Sequence, residues 1–269
     1  MSYEFSLAHL TVLQSTPPEM VKIAAATGYR YVSLRIKAVT PNEPTYPLMD
    51  DRAMMKETKR LLKETGVGVL DIELVRLDPE TEPESYLAFL EAGAELGARS
   101  VIAQLPDTDR KRAIQRFARL CDLAEPLGLT IDLEFPSWTE IPSLSAAVAV
   151  LQAVEQPNAG LLVDILHFAR SNSSLEDLKK LPRQWFHFVH LCDASAQAPE
   201  TTEGIIRVAR SDRYFPGEGG LNPREILACM PIVPYSLEIP NDALMKKWGP
   251  EEYARRAIRS SEKYLGVGH

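Results

Sequence analysis

The segment NAGLLVDILHFAR (residues 158–170) decides how this chain folds. It starts as an apolar run typical of a buried strand, but the run leads into Asp164, and His167 follows three residues later. A strand inside a core does not carry an isolated carboxylate, because burying an unpaired ion is very costly. Either the strand ends at Asp164, at a water-filled mouth of the fold, or this acid has a strong partner.

Apolar runs of this kind recur along the chain, and each is followed by a longer amphipathic stretch. Proline or an acidic residue opens several of these stretches and glycine ends several, which is the usual punctuation of helices. The alternation predicts right-handed parallel βα units. The predicted strands cover residues 4–10, 31–36, 67–75, 100–105, 130–135, 159–168, 187–193 and 232–240. The predicted helices cover residues 17–27, 50–65, 83–97, 107–127, 142–156, 174–181, 222–230 and 249–265.

Eight such units in 269 residues predict an α/β protein, a single (β/α)₈ TIM barrel with residues 1–269 as one domain. The alternative is an open doubly wound sheet, which is disfavoured because no glycine-rich phosphate turn follows the first strand. Residues 194–221 break the even spacing and are long for a connection between a strand and its helix. We expect this segment to be a loop that acts as a lid or binds a ligand.

The composition narrows the class of partner. A formal net charge of −7 argues against nucleic acid, whose phosphates require clustered lysine and arginine. No run reaches the length of a membrane span, and the N-terminal residues lack the features of a signal peptide. Three cysteines without metal-finger spacing are typical of reduced thiols. We therefore expect a cytoplasmic protein that acts on a small molecule rather than on nucleic acid or a membrane, with a homodimer as one option for its assembly.

Polar side chains recur at the carboxyl ends of the predicted strands. Alternate strand residues face opposite sides, so the apolar set packs on the helices and the polar set points into the barrel. In VLDIELV (residues 69–75) this rule turns Asp71 and Glu73 inward and Leu70, Ile72 and Leu74 outward. The carboxyl ends are where barrel enzymes hold their active sites. The last inward positions are His9, Arg35, Glu73, Gln104, Glu134, Asp164, His190 and Glu238.

Four consecutive strand ends, the fifth to the eighth, carry Glu134, Asp164, His190 and Glu238. A single glutamate at a strand end is usually a salt-bridge partner, but three carboxylates together would repel one another strongly. One divalent cation removes that repulsion. Three carboxylates and a neutral imidazole suit Mn²⁺, Mg²⁺ or Co²⁺, and Zn²⁺ is an alternative. For Arg35 and Glu73, a structural ion pair between the two is as well supported as a role in binding a ligand.

These residues resemble the xylose-isomerase-like TIM-barrel superfamily, which includes sugar-phosphate isomerases and epimerases, inosose and 3-dehydroshikimate dehydratases and endonuclease IV. The resemblance follows the strand order over the whole chain. It depends on DLEF (132–135), VDILHF (163–168), FVHLCD (188–193), PGEGGLNPREIL (216–227) and SLEIP (236–240).

The resemblance implies a metal-dependent isomerase or epimerase acting on a sugar, a sugar phosphate or a related keto-polyol. Glu134, Asp164, His190 and Glu238 would hold one divalent ion, Mn²⁺ before the others. Glu134 and Glu238 would also be catalytic, one removing the proton beside a substrate carbonyl and the other returning it. His167 would touch a substrate oxygen.

Three other functions remain open. A dehydratase of a keto-cyclitol or a dehydroshikimate-like acid begins with the same proton abstraction. A non-catalytic sugar-binding barrel is disfavoured because both acid–base glutamates are present. An AP endonuclease is disfavoured because it needs a histidine-rich three-metal cluster, whereas this acidic chain has few histidines near the site.

The remaining site residues are expected to bind substrate. Glu140 lies in EFPSWTE (134–140), a segment that differs from the ketose epimerases, and it is six residues past Glu134. Arg213 belongs to the predicted lid, and with Arg35 and Glu73 it indicates a polar or acidic substrate. The full predicted set is His9, Arg35, Glu73, Gln104, Glu140, His167 and Arg213.

Overall fold

The strands close into one parallel barrel in the computed structural model, which describes residues 3–266. Each strand pairs with its neighbours in sequence, and the first pairs with the last, so the predicted (β/α)₈ barrel is confirmed. The strands are β1 (Phe5–Ala8), β2 (Tyr31–Arg35), β3 (Gly68–Arg76), β4 (Ser100–Gln104), β5 (Thr130–Glu134), β6 (Ala159–Asp164), β7 (Val189–Leu191) and β8 (Tyr235–Leu237).

Helices surround the barrel and bury their apolar sides against its outer face, which makes the main core. Caps fix their limits, as in the second helix, where Asp51 accepts a hydrogen bond from the Met54 amide and Gly66 ends the helix in the left-handed conformation. Within residues 3–266, no helix is both long and apolar enough to cross a membrane. The helices are α1 (Pro17–Thr27), α2 (Arg52–Thr65), α3 (Leu87–Leu96), α4 (Arg110–Ala124), α5 (Leu144–Val154), α6 (Ile165–Arg170), α7 (Leu175–Lys179), α8 (Thr202–Ser211), α9 (Pro223–Leu227) and α10 (Asp242–Leu265).

The run at residues 159–168, predicted as one strand, is divided between β6 and α6. Asp164 makes the division: one of its carboxylate oxygens, Oδ1, accepts hydrogen bonds from the amides of Leu166 (2.7 Å) and His167 (3.1 Å). The residue is therefore the N-cap of the helix that follows. Its second oxygen, Oδ2, takes no part in the cap and contacts Arg213 instead.

The prediction of an uninterrupted loop over residues 194–221 is wrong, because α8 lies inside it. Thr201 caps this helix by accepting a hydrogen bond from the Gly204 amide at 3.1 Å. Ile205, Val208 and Ala209 have helical spacing, and Ala209 is buried at the barrel mouth. That spacing was the signal available in the sequence.

The prediction of which β3 side chains point into the barrel is correct for Asp71 and Glu73 and wrong for Leu70 and Leu74. The register with β2 shifts after Val69, so that Asp71 pairs with Ser33 and Leu70 is an extra residue; a second shift lies between Ile72 and Val75. Such bulges break strict alternation. As a result the two leucines belong to a small cluster inside the barrel, made by Tyr31, Leu70, Leu74, Ile102, Leu162 and Phe188.

Helix α10 begins before the predicted start at residue 249. Gly249 interrupts it with a φ of 73°, and Pro250 opens the second part. The predicted stretch 249–265 corresponds to that second part.

Candidate metal centre

The structure brings Glu134, Asp164, His190 and Glu238 together at the carboxyl ends of β5 to β8. All four are buried, and one donor atom from each lies within 4.8 Å of the others. The His190 Nδ1 atom is 3.4 Å from Glu238 Oε2, 3.5 Å from Asp164 Oδ2 and 3.8 Å from Glu134 Oε1. The barrel thus points three carboxylates and one imidazole at a single region.

This donor set fits a divalent cation. Both ring nitrogens of His190 are buried and lack a hydrogen-bond partner among the described residues. A buried polar atom left unpaired is costly, so it needs a partner that the side chains present do not supply. Carboxylate oxygens with one imidazole nitrogen suit Mn²⁺, Mg²⁺, Co²⁺ or Zn²⁺. The residues therefore match the ion predicted from the sequence.

Arg213 lies inside this centre and not on a lid. Its Nη1 atom is 2.7 Å from Asp164 Oδ2 and its Nη2 atom 2.8 Å from Glu238 Oε2. Its Nε–H donates to the Ala209 carbonyl at 2.8 Å, and only 2% of the residue is exposed. The guanidinium neutralises part of the negative charge of the four-residue cluster and holds two of its carboxylates in place.

Because these charged groups are buried close together, their pKa values are also shifted. Burial, together with the nearby carboxylates of Glu238 and Asp164, raises the pKa of Glu134 to about 7. Burial opposes charge on His190, but Glu238 and Asp164 together hold its pKa well above the ordinary value. Burial likewise opposes charge on Glu238, yet His190 and Arg213 lower its pKa to about 2. In the metal-free protein, protons on Glu134 and His190 thus limit the charge of the cluster.

We expect the number of protons released per Mn²⁺ bound to fall from about two at pH 6 to about one at pH 8. Below pH 7 the metal displaces a proton from Glu134 and another from His190, whereas above it Glu134 is already ionised. Affinity therefore weakens as pH falls through 7. Calorimetry in buffers of different ionisation enthalpy measures this release. Glu134→Gln should release about one proton at both pH values, and a release independent of pH in the wild type would contradict the assignment.

The centre forms the floor of a cavity of about 410 Å³ at the carboxyl ends of the strands. Gln104 donates to Glu134 Oε2 at 2.6 Å and also lines the cavity. His167 Nε2 lies 3.8 Å from Glu134 Oε1, and the edge of the ring faces Trp138 at 4.9 Å between centroids. Burial lowers the pKa of His167 to about 4, so its ring is neutral near pH 7. A cavity of this size suits a small polar molecule.

Arg35 and Glu73 form the ion pair that the sequence left open, with 2.8 Å between Nη2 and Oε2. Both also line the cavity, so pairing does not remove them from contact with a ligand. Glu43 joins them, 3.4 Å from Arg35 Nη1. Sequence analysis missed Glu43, because it lies in the irregular connection after β2. No repeating pattern of apolar residues there indicates which side chains point toward the cavity.

His9, predicted to contact substrate, is fully buried and is not among the residues that line the cavity. Its Nε2 donates to the Ser15 carbonyl at 2.9 Å, and its Nδ1 accepts from the Arg35 amide at 2.9 Å. The ring also stacks on Tyr46. The physical reason is that β1 ends at Ala8, and a 3₁₀ turn over His9–Val12 directs the imidazole into the backbone of β2.

Glu140 lies at the rim of the cavity, on the connection after β5, and is exposed. Its backbone carbonyl accepts a hydrogen bond from Arg110 at 3.2 Å. Trp138 and Thr139 of the same connection line the cavity beside it. Its position leaves the carboxylate available to a ligand.

Asp193 was missed by sequence analysis, although it follows His190 closely. Its carboxylate accepts hydrogen bonds from the amides of Ala194 (2.8 Å), Gly217 (3.0 Å), Gly219 (3.1 Å) and Leu221 (3.0 Å). A Cβ at Gly219 would collide with the Ala194 carbonyl oxygen. The PGEGG segment (216–220) is therefore a structural turn wrapped around one buried carboxylate.

Asp193→Ala is expected to lower the free energy of unfolding by about 3 kcal/mol, because charged hydrogen bonds contribute roughly 1.5–3 kcal/mol each and their buried donors would be left unpaired. Urea denaturation measures the change. Asp177→Ala, which removes only an exposed pair with Lys180, should change it by less than about 1 kcal/mol. Equal losses in the two variants would show that the turn does not depend on Asp193.

A closed parallel barrel with an acidic cluster and one imidazole at the carboxyl ends of its strands defines a TIM-barrel protein with a site of metal-binding type. Residues 21–264 match the family model described as xylose isomerase-like TIM barrel. The chain therefore belongs to that family, as its sequence predicted.

Known relatives agree with this membership. Inosose isomerase from Bacillus licheniformis is 28% identical over 193 residues, and the match covers 67% of this chain and 66% of that protein, just under two thirds. The IolI protein, solved with a bound zinc atom, superposes with a TM-score of 0.76 at 21% identity and covers 97% of this chain and 96% of its own. D-allulose 3-epimerase from Methylomonas sp., solved with D-allulose, gives a TM-score of 0.69 at 17% identity and covers 98% of this chain and 99% of its own. These two structures share the fold.

Proposed function

We propose that this protein is a divalent-metal-dependent isomerase or epimerase that moves a proton at a carbon beside a carbonyl of a sugar or keto-cyclitol. One observation carries the proposal: Glu134 and Glu238, two carboxylates able to accept and return a proton, lie in the same buried cluster as Asp164 and His190. The similarity to inosose isomerase supports the reaction class. The fold shared with an allulose epimerase is compatible with it.

Glu134, Asp164, His190 and Glu238 would hold the metal ion. Bound there, the ion would polarise a substrate carbonyl and stabilise negative charge on its oxygen. We favour Mn²⁺ because three of the four donors are carboxylates. Zinc, the metal found in the IolI structure, is the alternative to test beside it.

Proton transfer falls to the two glutamates. Glu134 has a pKa near neutrality before metal binds, and a group of that kind both accepts and returns protons efficiently. Gln104 fixes one oxygen of Glu134 and Arg213 fixes one oxygen of Glu238, so neither carboxylate rotates freely. Because β5 and β8 are not neighbours in the ring, the two carboxylates approach the cavity from separate walls.

His167 would bind a substrate oxygen. Its ring is neutral near pH 7, and its Nδ1 is buried without a hydrogen-bond partner among residues 3–266. A neutral imidazole can donate from one nitrogen and accept at the other. Trp138 packs against the ring and limits its movement.

Deuterium exchange tests the proposal. The Mn²⁺-loaded protein is incubated in D₂O with an inosose, D-allulose and a panel of other ketoses and keto acids. We expect solvent deuterium at the carbon beside the carbonyl of at least one compound, and none after EDTA treatment. Bound metal without exchange in any compound would overturn the proposal in favour of a binding protein. Exchange followed by loss of water would assign the dehydratase alternative.

A further inference from the structure

Two arginines at the cavity, Arg76 and Arg210, form no ion pair with any residue of the part of the chain described, residues 3–266. The other two arginines of the cavity are both engaged, Arg35 with Glu73 and Arg213 with Asp164. The Nε atom of Arg76 is buried and lacks a hydrogen-bond partner within the same residues. An unpaired guanidinium beside a cavity is a ready receptor for an anion.

The two side chains reach the cavity from different elements. Arg76 is the last residue of β3, and Arg210 lies in the last turn of α8. Arg35 lines the same cavity beside them. Partial burial lowers the pKa of Arg210, the positive charges of Arg35 and Arg76 lower it as well, and Glu43 opposes this shift. This side of the cavity therefore carries one more arginine than glutamate, with Arg35, Arg76 and Arg210 against Glu43 and Glu73.

The acids on this side of the cavity compensate only part of that charge, because two glutamates, Glu43 and Glu73, face three arginines there. Glu43 and Glu73 are bound by Arg35, and Glu238 is bound by Arg213. Glu134 contacts Gln104 and belongs to the metal cluster. Glu140, on the exposed rim after β5, forms no ion pair with either free arginine.

We propose that Arg76 and Arg210 form an anion subsite, which receives a carboxylate or a phosphate group of the substrate. The planar guanidinium binds either oxyanion through two parallel hydrogen bonds. This inference rests on the proposed function for the placement of the substrate carbonyl at the metal centre. It narrows the substrate class to an acidic keto-polyol, either a keto acid or a ketose phosphate.

Binding of two matched pairs of probes tests the subsite without turnover. Shikimate and methyl shikimate differ by one carboxylate charge, and sorbitol 6-phosphate and sorbitol differ by one phosphate. None of the four carries a ketone, so the reaction proposed above cannot consume them. Calorimetry with the Mn²⁺-loaded protein should show one anion binding about 10-fold or more tighter than its neutral partner. The pair that shows the preference distinguishes carboxylate from phosphate.

Arg76→Gln and Arg210→Gln should each reduce the preference several-fold, and the double variant should abolish it. Arg52→Gln, an exposed residue of α2 outside the cavity, should leave it unchanged. Mn²⁺ affinity should be unaltered in every variant, which also shows that each has folded. Equal binding of charged and neutral probes by the wild type, or a preference retained in the double variant, would overturn the subsite.

Deuterium exchange separates failure of this inference from failure of the proposed function. An anion preference without exchange on any compound would keep the subsite and refute the isomerase or epimerase. Exchange on neutral ketoses without an anion preference would support the isomerase or epimerase and refute the subsite.

Discussion

Turnover should fall by about 10²–10⁴-fold when Glu134 is replaced by glutamine, because the variant keeps the shape of the side chain and removes a general base. The amide cannot accept the proton, and it is a weaker metal ligand than the carboxylate. The rate is measured on whichever substrate shows deuterium exchange, at Mn²⁺ concentrations that saturate the variant. The barrel should stay folded, because the carboxyl ends of the strands tolerate change better than the opposite face.

Glu91→Gln is a matched control, since this glutamate is exposed on α3, away from the cavity, and the variant should keep the wild-type rate. Glu238→Gln should show a loss of the same order as Glu134→Gln. A rate near that of the wild type in either cavity variant, with metal bound, would remove that residue from the mechanism.

Arg213→Met should lower the unfolding free energy of the metal-free protein by about 3–5 kcal/mol, because removing one partner of a buried ion pair leaves uncompensated charge. Here the charges left behind belong to Asp164 and Glu238, which the guanidinium contacts at 2.7 and 2.8 Å. Saturating Mn²⁺ should restore part of the loss, since the cation neutralises the same carboxylates and binds only the folded state.

Urea denaturation with and without Mn²⁺ measures both effects. Arg207→Met removes an exposed pair with Asp212 and should cost less than about 1 kcal/mol in either condition. If Mn²⁺ gave the Arg213 variant no more stability than the wild type, the guanidinium and the metal would not share the charges of one cluster.

The class of fold could be predicted because the signals for it are local. Apolar runs alternate with helix-length stretches, and caps such as Asp51 and Gly66 mark helix limits in the sequence itself. The closed barrel followed from the number of units. The four proposed metal ligands could be predicted for a related reason: each lies at the end of a strand, and parallel strands of a barrel bring their carboxyl ends to one face.

Prediction failed where a residue's direction depends on its neighbours. The bulges in β3 turn Leu70 and Leu74 into the barrel, because pairing with β2 and β4 sets the register. Strand alternation predicts that His9 points into the barrel. The 3₁₀ turn after β1 instead positions both of its ring nitrogens to form hydrogen bonds with backbone groups. Alternation describes a regular strand, and these residues lie where the strand stops being regular.

The sequence by itself determined the barrel and the ring of polar side chains at its carboxyl ends, since both depend on periodicity and position along the chain. The tertiary structure alone decided which charges meet. It placed Arg213 against Asp164 and Glu238, and among residues 3–266 it gave Arg76 and Arg210 no ion pair beside the same cavity. The physical reason is that ion pairs form across elements far apart in sequence, and their geometry exists only after those elements have packed.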